Sequence, residues 1–268
     1  MKFEPRLPRD DVNVSRTHPL REAAQLVAGA TLLTGAVVVA AFLTVELGVR
    51  FLPASWEQRV FSGWLDELGE ADARTASVQD LVDRLAAHWG ENPYDLRVAI
   101  LEDEAPNAFA APGGSILVTS GLLDAAESEN ELAFVLSHEV GHFRGRDHLR
   151  ALGRGLVLQV AVQAAIASSA ANLPALVTDL ASRSFGRDQE QSADAFGLGL
   201  VQAEYGHVSG AEDFFERLPD ARADLGDDLG AWFATHPVTE GRIEELSNLT
   251  RRNGWQDEAE LRPLQLSP

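Results

Sequence analysis

Apolar positions along this chain fall into runs of three kinds. The first, Ala23 to Val45, carries no charge and is rich in Ala, Val, Leu and Gly. At ~1.5 Å rise per residue, about 20 helical residues cross a ~30 Å hydrocarbon layer. A core helix this long and apolar on every face is unusual. A cleaved signal fits poorly, because the charged leader is long and no clear small-x-small site precedes a polar start. The pattern predicts a transmembrane anchor over 23–47, preceded by a cytoplasmic segment, 1–22. Lys2, Arg6, Arg9, Arg16 and Arg21 lie before the span, and Arg50 and Arg59 follow it. That asymmetry keeps the N-terminus in the cytoplasm and sends the remainder into a periplasmic or other extracytoplasmic space.

The second kind is amphipathic. Leu81, Val82 and Leu85 within 78–89 fall on one helical face, whereas 96–101 alternates as a strand does. A second β-rich run, Ser115 to Thr119, is entered through Pro112-Gly113-Gly114. Helix resumes at Leu122, and Ser128 with Glu131 forms a capping box for a helix striped by Leu132, Val135 and Leu136. These signals predict an α+β, mainly α-helical domain with a small sheet over 75–268. Residues 48–74 read as a linker or juxtamembrane helix.

Charge and cysteine content narrow the chemistry. A formal net charge of −19 argues against nucleic-acid binding, which needs an excess of Lys and Arg. With no cysteine, disulfides, thiol nucleophiles and thiolate-held metals are excluded. Any transition metal must be held by His and carboxylates.

Such residues occur as His138-Glu139-Val140-Gly141-His142, inside the capped helix. Positions four apart share a helical face, with Cβ atoms ~5–6 Å apart, so two imidazoles can converge on one zinc ion. Glu139 lies one step round the helix, where it can take a proton from water at the open position rather than bind the metal. Downstream, Glu190 and Asp194 are also four apart, on a second helix. Glu190 can complete a His₂Glu site, and Asp194 can accept from the far ring nitrogen of a ligand histidine, fixing its tautomer.

The third run, Gly155 to Thr178, is uncharged but contains Gln159, Gln163, Ser168, Ser169, Asn172 and Pro174. One crossing there would separate His138 and His142 from Glu190 across the membrane, and two crossings would need about 40 residues. It is therefore predicted to be a buried or partly exposed helix, broken near Pro174, that covers the site, lies on the membrane surface or belongs to the core.

Taken in order, Asn107-Ala108-Phe109-Ala110, Pro112-Gly113-Gly114, His138 to His142, Arg187 to Asp194 and Thr235-His236-Pro237 resemble the M48 peptidases, the CAAX-prenyl-endopeptidase and heat-shock-protease-like zinc enzymes. The resemblance covers roughly residues 75–250. It implies a zincin-type domain with a small antiparallel sheet and one Zn2+ per chain, held by His138, His142 and Glu190. It further implies Glu139 as general base and Asp194 as the residue orienting a ligand histidine. Asn107, Ala108, Phe109 and Ala110 match an edge strand that pairs with extended substrate. His236 matches a histidine near the zinc that stabilises the oxyanion or gates the metal. Multi-span members of the family process prenylated proteins; a single anchor sets this chain apart from them. The expected function is a membrane-anchored zinc endopeptidase acting on unfolded or damaged membrane and envelope polypeptides. The alternative is a membrane-anchored chaperone or assembly factor with little or gated proteolysis.

Overall fold

A computed structural model of the chain describes residues 18–61, 72–166, 185–213, 236 and 240–266. Eight helices and three strands are described: α1 (Pro19–Phe51), α2 (Ala54–Val60), α3 (Thr75–Ala87), β1 (Arg97–Leu101), β2 (Ala108–Ala111), β3 (Ser115–Thr119), α4 (Ser120–Ala125), α5 (Glu129–Gly145), α6 (Asp147–Ile166), α7 (Arg187–Tyr205) and α8 (Glu240–Asn253). Among the described residues one helix, α1, is long and apolar enough to cross a membrane. It extends beyond 23–47 at both ends, because Pro19 and the His18 side chain start it earlier and the chain turns only at Leu52.

The sheet has the order β1-β3-β2. It is mixed rather than antiparallel. β2 and β3 form an antiparallel hairpin, but β1 pairs with β3 in parallel. The chain crosses from β1 to the far side of β3 before turning back, so the first and third strands run the same way. Gly113 and Gly114 make the hairpin turn at φ of 89° and 86°, a region that side-chain-bearing residues avoid. β2 is left at an edge. Alternation along the strands sends Val98, Ile100, Ala108, Ala110, Ile116 and Val118 into the main core. Ala99 and Leu117 form a small cluster with Leu101 and Phe109 on the opposite face.

α5 is the axis of the domain. Every residue from Asn130 to Phe143 is buried. Leu132, Phe134, Leu136 and Phe143 are fully enclosed, each contributing roughly 1.5–3 kcal/mol by leaving water. Ser128 caps the helix by accepting from Glu131 N–H at 3.1 Å, and the Glu131 carboxylate returns to Glu127 N–H at 2.8 Å. α3 covers one flank through Val78, Leu81, Val82 and Leu85. α7 crosses the other flank at backbone contact. A Cβ on Gly141 would stand 2.7 Å from Ala193 Cα, and one on Gly197 would stand 2.9 Å from His138 N. Only glycine permits that approach, which sets the second half of the metal motif against the first.

Candidate metal centre

His138 and His142 point from α5 toward the first turns of α7, and Glu190 and Asp194 point back. The His138 Nδ1 lies 2.9 Å from Asp194 Oδ1. Arg242, buried on α8, donates to both Asp194 oxygens at 2.8 and 2.7 Å and also reaches Glu190 Oε2 at 2.8 Å. Burial alone would raise the Asp194 carboxyl. The His138 and Arg242 contacts outweigh it and hold the group well below the usual carboxylate range. An ionised carboxylate can only accept, so His138 Nδ1 carries the proton. The His142 Nδ1 meets Asp147 Oδ2 at 3.1 Å. Asp147 is itself held below its ordinary range despite burial by His142, Gln189 and Arg150. The same reasoning places the second proton on His142 Nδ1.

With the Nδ1 protons placed there, the neutral form of each ring turns an Nε2 lone pair toward the other ring, at 3.0 Å. His236 Nδ1 sits 3.2 Å from His138 Nε2 and 3.1 Å from Glu190 Oε1. Glu190 oxygens lie 3.5 and 3.6 Å from His138 Nε2 and His142 Nε2. Ligand atoms of His138, His142, Glu190 and His236 all fall within 4.8 Å of one another, and all four residues are buried. Donors around a tetrahedral zinc with bonds near 2.0–2.1 Å stand about 3.3 Å apart, so this nitrogen and carboxylate set fits zinc. Mutual repulsion of the lone pairs is relieved by a cation at their centre. Burial drives His138 down to about 4 and His236 well below its ordinary range, which favours neutral rings there, whereas Asp147, Glu139 and Glu190 raise His142 despite its burial.

Glu139 is placed differently. Its Oε2 accepts from Ala110 N–H of β2 at 2.9 Å. Its Oε1 accepts no hydrogen bond among the described residues and lies 3.4 Å from His236 Nε2. Burial pushes its carboxyl up to about 8. Asn107 N–H and C=O are both turned to Thr119, so by alternation the outward amides of β2 belong to Ala108 and Ala110. Phe109 is turned to the far cluster instead. The Asn107 Oδ1 is buried with no hydrogen-bond partner among the described residues.

Sequence reasoning missed two contributors to the centre. Asp147, just past the end of α5, performs for His142 what Asp194 performs for His138. Phe185 stacks on the His142 ring with centroids 4.0 Å apart. Arg242 spans Glu190 and Asp194 of α7. His148 is buried and bonds to Glu57. The uncharged run continues α6 to Ile166, partly exposed at Leu156, Leu158 and Val160; Pro174 lies outside the described residues.

Comparison with known proteins agrees with this geometry. A model of peptidase family M48 matches residues 72–250. The chain is similar to the mitochondrial metalloendopeptidase OMA1 of Schizosaccharomyces pombe, 28% identical over 191 residues that make up 70% of this chain and 55% of the relative. It is also similar to the beta-barrel assembly-enhancing protease of Escherichia coli, 28% identical over 187 residues, 65% of this chain and 38% of the relative. Arabidopsis thaliana OMA1 is 31% identical over 154 residues, 56% of this chain and 30% of the relative. The chain thus spans about half, or less, of the length of these curated relatives.

Proposed function

Because the chain belongs to peptidase family M48, we propose that it is a membrane-anchored zinc endopeptidase, with His138, His142 and Glu190 holding the metal and Glu139 acting as the base. The observation that carries this reading is the pair of Nε2 atoms at 3.0 Å, each on a ring whose other nitrogen is committed to a carboxylate. Zinc, when bound there, supplies Lewis acidity that acidifies water and polarises the scissile carbonyl.

Glu139 takes the proton of the attacking water and hands it to the leaving amine nitrogen. Its Oε2 is fixed by Ala110 N–H, so the bare Oε1 is the proton-carrying atom. A carboxylate made basic by burial is suited to this work near neutral pH. The outward Ala108 N–H and the outward backbone carbonyls of this edge strand would add an extended peptide as a strand, while the Ala110 N–H stays on Glu139, and Asn107 Oδ1 would take a further backbone N–H. Main-chain pairing reads little of the side-chain sequence, which favours unfolded or damaged polypeptides. The basic residues before α1 support a cytoplasmic N-terminus and an extracytoplasmic metal centre.

His236 favours a gated form of the activity. Its Nδ1 sits among the donors and can fill the fourth position at rest. A chaperone with gated proteolysis, the alternative reading, rests on that same contact.

The test is casein hydrolysis by the purified chain and its Glu139→Gln variant, with zinc measured on both. Near one zinc per chain in each, with cleavage lost only in the variant, supports the assignment. A well-folded protein that takes up no zinc would overturn it.

A further inference from the structure

α6 leaves the metal centre and runs back along α1. Gly153 lies so close to Val45 that any Cβ there would collide with the valine side chain, and Arg150 Nε donates to Glu46 Oε2 at 2.9 Å. Beyond this pair the two helices remain side by side. Leu156, Val157, Val160 and Ala161 share a groove of about 620 Å³ with Leu33, Thr34, Val37, Val38 and Ala41. Val160 is 64% exposed, and Leu156 and Leu158 are 38% and 39% exposed. No charged residue occurs between Gly155 and Ile166.

Register against α1 gives these side chains a depth. The apolar stretch of α1 runs from Ala23 to Val45, so Leu33 and Thr34 mark its middle. Counted on from the Gly153–Val45 contact, Val160 stands level with about Val38 and the end of α6 at Ile166 with about Leu32, so α6 reaches that middle at its end. The Glu46–Arg150 pair marks the level at which charge begins. From Arg150 to Val160 the helix rises ~15 Å, well into a ~30 Å hydrocarbon layer. At that depth in a bilayer, exposed Leu and Val side chains would meet acyl chains rather than water.

We propose that α6 is a second membrane-buried segment, reaching about the midplane of the bilayer against α1, and that lipid acyl chains occupy the groove between the two helices. This rests on reading α1 as the anchor. It does not turn α6 into a span, since Phe185 is back against His142 on the side of the metal centre. The substrate class follows. His142 bonds to Asp147, Asp147 to Arg150, and Arg150 to Glu46. Those three contacts tie a zinc ligand to the charged rim of the bilayer. Peptide bonds within reach belong to segments of membrane proteins immediately outside the lipid.

The absence of cysteine makes the test direct. Single cysteines replacing Val37, Val160 and Arg251 are labelled with an environment-sensitive fluorophore in the full chain, reconstituted in phosphatidylcholine–phosphatidylglycerol vesicles. Zinc content of each variant reports that the domain is intact. Quenchers are iodide in water and lipids spin-labelled near the headgroup or at mid-chain. The expected result is strongest quenching by the mid-chain label at both Val37→Cys and Val160→Cys, with iodide effective only at Arg251→Cys. Iodide quenching at Val160→Cys with Val37→Cys deep in lipid would overturn the α6 assignment and leave the anchor standing. Iodide quenching at both would overturn the anchor itself. Shielding of Val160→Cys from every quencher would mean that protein, not lipid, covers the groove, and would also overturn it. None of these readouts depends on peptidase activity.

Discussion

The carboxylate of Glu57 and the imidazole of His148 meet at 2.7 Å with both side chains wholly enclosed. Glu57 also accepts from Gly113 N–H at 3.0 Å and from the Tyr94 hydroxyl at 3.1 Å. One buried carboxylate on α2 therefore ties the segment after α1 to the β2–β3 turn and to the start of α6. Burial opposes ionisation of Glu57, but the His148, Gly113 and Tyr94 contacts prevail and lower it below its ordinary value of 4.5. A lowered carboxylate stabilises the fold above pH 4.5 and loses that contribution as pH falls through its folded value. Glu57→Gln is expected to lose about 2–3 kcal/mol at neutral pH and to show a flatter decline in acid. Urea unfolding at pH 7 and at steps below 4.5 reads both effects; equal stability at neutral pH would refute the assignment.

Asp147→Asn and Asp194→Asn keep side-chain size but weaken the acceptors that hold the Nδ1 protons. Each should lower zinc affinity by about 10–100-fold. The loss should be larger for Asp194, which also anchors Arg242. Competition with a chromogenic chelator measures it, and wild-type affinity in both would contradict the proton placement.

Gly197 and Gly199 give a paired test on one helix. A Cβ at Gly197 meets the backbone of His138 and Ser137 at 2.9 and 3.0 Å, whereas one at Gly199 meets nothing within 4 Å. Gly197→Ala should cost about 1–3 kcal/mol and weaken zinc binding, because α7 carries Glu190. Gly199→Ala should be neutral or more stable by up to about 1 kcal/mol, from helix propensity. Thermal melts with and without chelator separate the two.

Removing the His236 ring should free the fourth position. His236→Ala is expected to raise basal casein hydrolysis several-fold while zinc stays bound. A fall in kcat with unchanged KM would instead mean that the ring stabilises charge in the transition state.

Much of the arrangement was legible because it is periodic. Alternation marked a strand at 96–101, where β1 lies, and spacing by four put His138 with His142 and Glu190 with Asp194. Asp147 escaped because its direction depends on the left-handed residue Arg146, which breaks α5 from α6, and no periodicity carries across such a break. Strand direction was equally hidden, since alternation reads the same whichever way β1 runs beside β3. Phe185 approaches His142 from outside every periodic element. The run from Gly155 onward announced that it was apolar, but apolarity does not say whether protein or lipid covers it.

Arg146 also joins two ends. Held at φ 57°, it closes α5, and its guanidinium donates to the carbonyls of Val49 and Leu52 at the end of α1. With α1 in a bilayer, the domain that carries the metal centre is bolted to that helix rather than strung from it. A flexible tether lets a domain sweep a volume and work at an effective concentration set by linker length. A rigid mount gives up that reach. Encounter then becomes a two-dimensional problem, governed by how fast enzyme and substrate drift past each other in the plane of the membrane.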